Sequence, residues 1–251
     1  MEIESLTQFL LPTNVPIFFT VFLIIYLIAY FIVFRKWNPN LRPEAASCMI
    51  SFAHGTPAVF LACYGIFTDQ TRSFASINTQ FQNMVLDYSI SYFLMDLCHY
   101  LIFYPKDVIF IGHHLATLFV FITCRYVALH GAFSILVLLI IAEVTSLCQN
   151  TWTLAGGRRA DSEYAAKVYD VLSPPFYVIY SIARGLAGPL FMYKMIVFFA
   201  SGAAENVIPR WIWVSWVIVV SVAISVSWLW ISNLWIQLFA ERSRKLEEKI
   251  R

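Results

Sequence analysis

VIFIGHHLATLFVFITCRYVALHGAFSILVLLIIAEVTSLCQNTW, residues 108–152, contains two apolar runs, Val108 to Leu129 and Ala132 to Trp152, parted only by His130 and Gly131. Crossing the hydrocarbon core of a bilayer takes about 20 mostly apolar residues in a helix. Each run meets that length, so this stretch predicts two spans joined by a tight turn. Working outward, five more runs pass the same test: Pro16 to Phe34, Ala45 to Phe67, Gln82 to Tyr104, Pro174 to Phe199 and Trp211 to Ala240. The sixth opens on Ser173, Pro174 and Pro175, which reads as a capped, proline-led helix start. The last is too long for one straight crossing and must tilt or emerge. The expected fold is therefore all-α, a polytopic membrane protein with about seven transmembrane helices.

Composition agrees. Of 251 residues 60% are hydrophobic and only 13% charged, against about 25% charged in a soluble domain. A net charge of +2 without a sustained basic block excludes a nucleic-acid partner. Cys48, Cys63, Cys98, Cys124 and Cys148 stand singly in apolar surroundings, without disulfide or metal spacing, and read as small packing residues. Met1 to Leu6 carries Glu2 and Glu4 but no basic segment, so a cleaved leader is not expected. There is no internal repeat or linker.

Lys and Arg in short loops favour the cytoplasm. With the N-terminus on the far side, the cytoplasmic segments hold Arg35, Lys36, Arg42, Lys106, Arg158, Arg159, Lys167, Arg242, Arg244, Lys245, Lys249 and Arg251, which is 12 of the 17 basic residues. Arg72, Arg125, Lys194 and Arg210 fall on the opposite side, and Arg184 lies within a span.

Ionisable groups inside spans cost roughly 2.5–3.5 kcal/mol each to insert, so each is a candidate for function. Counted at about 1.5 Å per residue, His113, His114, His99, Asp96, Glu143, His54 and Arg184 fall in one layer roughly 8–15 Å from the cytoplasmic ends of their helices. Asp87 and His130 lie near the other face, where Asp87 reads as an interfacial residue. Neighbouring helix positions point about 100° apart, so one ring of His113–His114 can face a cavity while the other meets a helix. Asp96 and His99, three apart, share a face. Arg184 requires a partner, expected to be Glu143 or Asp96. For His54 alone, an interhelical hydrogen-bond staple is as good a reading as a functional one. A histidine beside a carboxylate is equipped for general-base or nucleophilic work. No metal site is expected: there is no HExxH, and adjacent histidines do not share a helical face.

Three pieces in this order resemble one family. They are Tyr92–Asp96, followed by Pro105–Lys106 and Ile111-Gly112-His113-His114; Ala142–Ser146 with Asn150; and Tyr180–Arg184 followed by Gly188–Pro189. Together they are similar to the TLC-domain family over roughly residues 45–240. The resemblance implies a six-helix barrel around a lipid-accessible cavity, preceded by one N-terminal helix and loop (1–44) and followed by a basic cytoplasmic tail (241–251). It also implies an endoplasmic-reticulum membrane or a related one. Ceramide synthases of this family join an acyl chain from acyl-CoA to a sphingoid base through paired histidines. Here the second His-Asp pair and a further Asp of the synthases are missing, Glu143 stands alone, and there is no homeodomain-like insert, so the chain looks closer to the non-synthase branch.

Two functions follow from the resemblance. One is membrane-lipid metabolism with acyl transfer, in which His113, His114, Asp96 and Glu143 are catalytic, His54, His99, Asn150 and Arg184 support or bind lipid, and acyl-CoA is the co-substrate with no other cofactor. The other is a non-enzymatic lipid sensor or trafficking factor using the same cavity. A seven-span receptor lacks support, having neither Asp-Arg-Tyr after the third span nor a proline or retinal-type lysine in the last. A proton-coupled transporter would be expected to show an internal repeat.

Overall fold

The computed structural model describes residues 13–250, apart from the side chains at 245, 246 and 248–250. The expectation about Met1 to Leu6, the terminal Arg251 and the side chains of Lys245 and Lys249 lie outside the described residues. The described residues form seven long helices: α1 (Val15–Val33), α2 (Arg42–Phe67), α3 (Gln80–Phe103), α4 (Val108–Ala128), α5 (Ala132–Arg158), α6 (Glu163–Ala200) and α7 (Arg210–Ile250). Among the described residues there is no strand, only an isolated bridge between Ile77 and His130.

All of these except α3 are long and apolar enough to cross a membrane. Helix α3 has the length but too many polar side chains, and its position explains why. It is packed by α1, α2 and α4, and Gln82, Asn83, Asp87, Ser89, Ser91, Asp96 and His99 are all buried along it. Polar groups in the middle of a bundle find partners that lipid would not supply. On the outer helices the burial pattern is inverted relative to a soluble protein: Ile17, Val21, Phe31, Phe60, Leu190 and Leu229 are exposed. An apolar skin of that extent suits hydrocarbon rather than water. The protein is an all-helical, polytopic membrane protein.

Local chemistry sets the helix ends. Thr79 and Gln82 form a reciprocal cap at the start of α3 (3.2 and 2.9 Å), a device worth about 1 kcal/mol. Between α4 and α5, Leu129 and Gly131 adopt left-handed φ of 59° and 86°. Asn78 clamps that turn, donating from Nδ2 to Cys124 O (2.9 Å) and accepting from Ala132 N (2.8 Å). Helix α5 breaks its ladder at Val144–Thr145 and continues to Arg158.

Helix α6 departs from expectation. Ser173-Pro174-Pro175 is not its start; the helix begins after Ser162, whose Oγ accepts from Ala165 N (3.3 Å), and the prolines lie inside it. Each proline removes only one ladder donor. The neighbouring Ser173 Oγ donates to Tyr169 O (2.7 Å), and Trp152 Nε1 donates to Ser173 Oγ (2.8 Å). Trp152, Tyr169, Phe176 and Tyr177 pack ring against ring around the site, holding the helix through it.

Packing distinguishes the two ends. At one, Arg158 stacks over Trp37 (4.8 Å) and Arg159 reaches Glu241 (3.4 Å), gathering the α1–α2 and α5–α6 loops with the C-terminal part of α7. At the other, the α2–α3 loop meets the α4–α5 turn through Ile77–His130 and Asn78–Leu129. Among the described residues three helices carry π-helical turns, Ala29–Val33, Thr123–Ala128 and Ser181–Ala187. Arg125 and Arg184 sit on the latter two.

Candidate functional site

Two chambers that share part of one wall lie within the bundle, the larger toward the end that holds Arg158 and Glu241. The larger, of about 540 Å³, mixes polar and apolar groups: Glu44, Ser47, Asp96, His99, Tyr100, Tyr104, Asp107, His113, His114, Glu143, Asn150 and Arg184 line it together with Phe93, Phe110, Trp152, Trp230 and Leu234. The smaller, of about 140 Å³, runs deeper between α4, α5, α6 and α7, with Val120, Leu139, Val219 and Ala223 on its walls. Phe93, His113, Glu143 and Arg184 line both. The shared wall thus carries an imidazole, a carboxylate and a guanidinium.

The adjacent histidines separate as the helical geometry requires. His114 is buried, with Nδ1 2.8 Å from Phe110 O and Nε2 2.8 Å from Asp96 Oδ2. A carbonyl only accepts, so Nδ1 carries a hydrogen, and a single further proton lies between Nε2 and the carboxyl. Ser47 Oγ donates to the other Asp96 oxygen (2.6 Å). Both nitrogens of His114 are therefore engaged within the protein. His113, one residue earlier, turns its ring edge-on to His114 (86°) and onto the cavity wall. Of the pair, only His113 keeps nitrogens for a ligand.

Asp96 also groups with His99, which lies one turn along α3 and is buried, its Nδ1 2.9 Å from Tyr26 OH of α1. His54 is fully buried, stacked on Tyr92 (4.0 Å, 6°), with Nε2 3.1 Å from Ser89 Oγ. Its Nδ1 has no hydrogen-bond partner among the described residues and stands 3.9 Å from Glu143 Oε2. That oxygen accepts from Ser146 Oγ. Helix α2 approaches so closely here that a Cβ on Gly55 would sit 2.6 Å from Ser146 Cβ and 2.9 Å from Glu143 Oε2. Only glycine allows this crossing. Asn150 Nδ2 bridges α5 to α2 through Ser51 Oγ (2.8 Å).

Two expectations are corrected. Arg184 does not pair with Glu143 or Asp96: Nη2 donates to Ala142 O (2.6 Å), the guanidinium lies over the Tyr180 ring (5.2 Å), and Nε has no acceptor among the described residues. The α5 ladder opens just beyond Ala142 at Val144–Thr145, which helps expose that carbonyl to a side-chain donor. Asp87 is not interfacial but fully buried, and it meets Arg125 from the end of α4. Arg125 Nε donates to Asp87 Oδ1 (3.0 Å), joined by Tyr126 OH (2.8 Å) and, on Oδ2, by Asn14 N (3.1 Å). The π-turn at the end of α4 carries Arg125 inward. This pair lies toward the opposite end of the bundle and is outside the chambers.

The hydropathy reading missed Glu44, Ser47, Tyr100, Tyr104 and Asp107. A signal exists: Asp96, Tyr100 and Tyr104 repeat every four residues, and Glu44, Ser47 and Ser51 repeat at three and four, each set marking one helical face.

The TLC domain matches residues 44–236. The chain belongs to the TLC-domain family. The TLC domain-containing protein At5g14285 of Arabidopsis thaliana is 63% identical over 243 residues, covering 95% of this chain and 96% of that protein. Its designation fits the non-synthase TLC-containing branch rather than the synthases. No solved structure matches the chain. Within the TLC domain lie all of the cavity-lining residues named above, while α1, which precedes it, contributes Tyr26 behind His99.

Proposed function

We propose that this TLC-domain protein acts in membrane-lipid metabolism or homeostasis by drawing a membrane lipid into these chambers. His113 serves as the group that moves the proton in an acyl transfer. One observation carries the reading: the His113 ring lies on the wall common to a partly polar and an apolar chamber, with its neighbour's nitrogens already engaged. A lipid is the ligand class that fills both kinds of space at once, because its head is polar and its tail is not. His113 takes the proton from a lipid amine or hydroxyl as that atom attacks the acyl carbonyl, and the thiolate of acyl-CoA leaves and is protonated. Arg184 and Glu143 stand on the same wall as His113. The His114–Asp96 pair holds the His113 backbone in place.

The basic loops favour the cytoplasm for the end bearing Arg158, with the N-terminus on the lumenal side of the endoplasmic reticulum. Acyl-CoA then approaches the chambers from the aqueous side on which it is made available. A second reading, lipid sensing or trafficking without turnover, draws on one observation: Asp96 is committed to His114 and Ser47 and does not hydrogen-bond His113.

The test compares the lipidomes of cells lacking the protein with cells rescued by the parent or by a His113→Ala, His114→Ala double variant. An acyltransferase leaves one lipid class depleted in the deletion and unrestored by the double variant at parental abundance. Restoration by the variant would favour the sensor.

A further inference from the structure

Along the path from the apolar chamber to the end of the bundle, charge changes in a definite order. The deep chamber is apolar, Arg184 lines both chambers, and the larger chamber beyond it carries carboxyl groups. Glu44, Asp96, Asp107 and Glu143 put four carboxyl groups on its walls, of which Asp96 is held by His114 and Ser47, alongside the guanidinium of Arg184 and the imidazoles of His99, His113 and His114. Tyr100, Tyr104, Trp152 and Trp230 stand among them. Carboxylates with aromatic faces in one cavity are the setting that attracts an ammonium group. The guanidinium at the junction holds Ala142 O through Nη2 and lines both chambers, a planar donor group suited to an anionic oxygen.

A zwitterionic glycerophospholipid has the same sequence of groups: tail, phosphodiester, ammonium. We infer that the chambers select a lipid with an ethanolamine or choline head, its tail in the apolar chamber, its phosphate at Arg184 and its ammonium in the carboxyl-lined, aromatic chamber; of the two heads only ethanolamine carries an N–H that acyl transfer can use, and a choline lipid is bound without turnover. The inference rests on the lipid-handling reading and names the lipid. It disfavours phosphatidic acid and phosphatidylglycerol, whose heads bring no cation to face the carboxylates. It also keeps the phosphates of a coenzyme A donor out of the chamber, at the basic loops beside Lys106 and Arg158.

The test uses the full chain purified in a maltoside detergent and an equimolar mixture of dioctanoyl phosphatidylcholine, phosphatidylethanolamine, phosphatidylglycerol and phosphatidic acid. Native mass spectrometry reads the bound species. The two zwitterionic lipids should dominate by about fivefold to tenfold, the scale of one or two ammonium contacts. A Glu44→Gln, Asp107→Asn variant should lose that preference; Asn retains the cap of α4, and an unchanged melting temperature verifies the fold. Arg184→Gln, which keeps a donor at the junction, should weaken all four phospholipids together. Equal or stronger binding of the anionic lipids, or a preference untouched in the double variant, would overturn the assignment of the head group while leaving lipid binding intact. Failure of all four lipids to bind would remove the lipid-handling reading as well.

Discussion

Replacing Asp87 by leucine should leave the Arg125 guanidinium buried without its carboxylate. Asp87 is fully buried and Arg125 is 3% exposed, so water does not take over the lost contact. The carboxylate gathers three donors, from Arg125 (3.0 Å), Tyr126 (2.8 Å) and the Asn14 backbone (3.1 Å), and so ties the start of α1 to α3 and α4. Removing one partner of a buried ion pair costs about 3–5 kcal/mol. For a chain of this size that corresponds to a fall in melting temperature of about 6–20 °C. Asp87→Leu combined with Arg125→Leu removes both charges, and should recover much of the loss, because the cost lies in the stranded charge more than in the missing attraction. The assay is thermal unfolding of the purified protein in detergent, following tryptophan fluorescence for the parent, both single variants and the double variant. The reasoning fails if Asp87→Leu shifts the midpoint by less than about 2 °C, or if the double variant is as unstable as the two single changes added together.

Three further outcomes are expected. Gly55→Ala should reduce stability and displace Glu143, since its methyl would press on Ser146 Cβ at 2.6 Å and Glu143 Oε2 at 2.9 Å; an unchanged midpoint would show that α2 and α5 separate easily. In the α2–α3 loop, burial raises the Asp69 pKa, but hydrogen bonds from Thr71, Gln82 and the Arg72 backbone outweigh it and hold the carboxyl below its ordinary 3.8. A depressed folded value contributes stability that is complete above the unfolded pKa and lost as the pH falls through the lower folded one. Asp69→Asn should therefore be less stable than the parent at neutral pH, with the gap closing below about pH 4, and a gap constant down to that range would contradict the assignment. Finally, glycosylation tags at the N-terminus and beside Ser73 should be modified, while tags near Arg159 and after Lys249 should not; modification of the C-terminal tag would reverse the orientation.

Much of the fold is legible in the sequence because hydrocarbon demands long apolar helices, and the 45 residues from Val108 to Trp152 announce two of them. The layer of ionisable groups is legible for a related reason: rise per residue converts sequence position into depth, which brings His113, His114, Asp96, His99, Glu143 and Arg184 to one cavity. What hydropathy does not encode is azimuth. Arg125 sits where a span ends, and only the π-turn at Thr123–Ala128 directs it to Asp87 rather than to water. Arg184 finds a backbone carbonyl because α5 breaks at Val144–Thr145, a feature that Ala142-Glu143-Val144-Thr145-Ser146 does not signal by propensity. Pro174 and Pro175 mislead because a cap-and-proline pattern is a local rule. The aromatic packing of Trp152, Tyr169, Phe176 and Tyr177 that overrides it is tertiary.

The most direct test of the site is to express His113→Gln and His114→Gln separately in cells lacking the protein and measure the lipid profile at matched protein abundance. His113 has nitrogens free for a ligand, whereas His114 is bound to Phe110 and Asp96. His113→Gln should leave abundance and melting temperature at parental values and fail to restore the lipid profile. His114→Gln should lower the melting temperature, because Asp96 loses its imidazole partner and keeps only Ser47. Full restoration of the lipid profile by His113→Gln would contradict the role assigned to that ring.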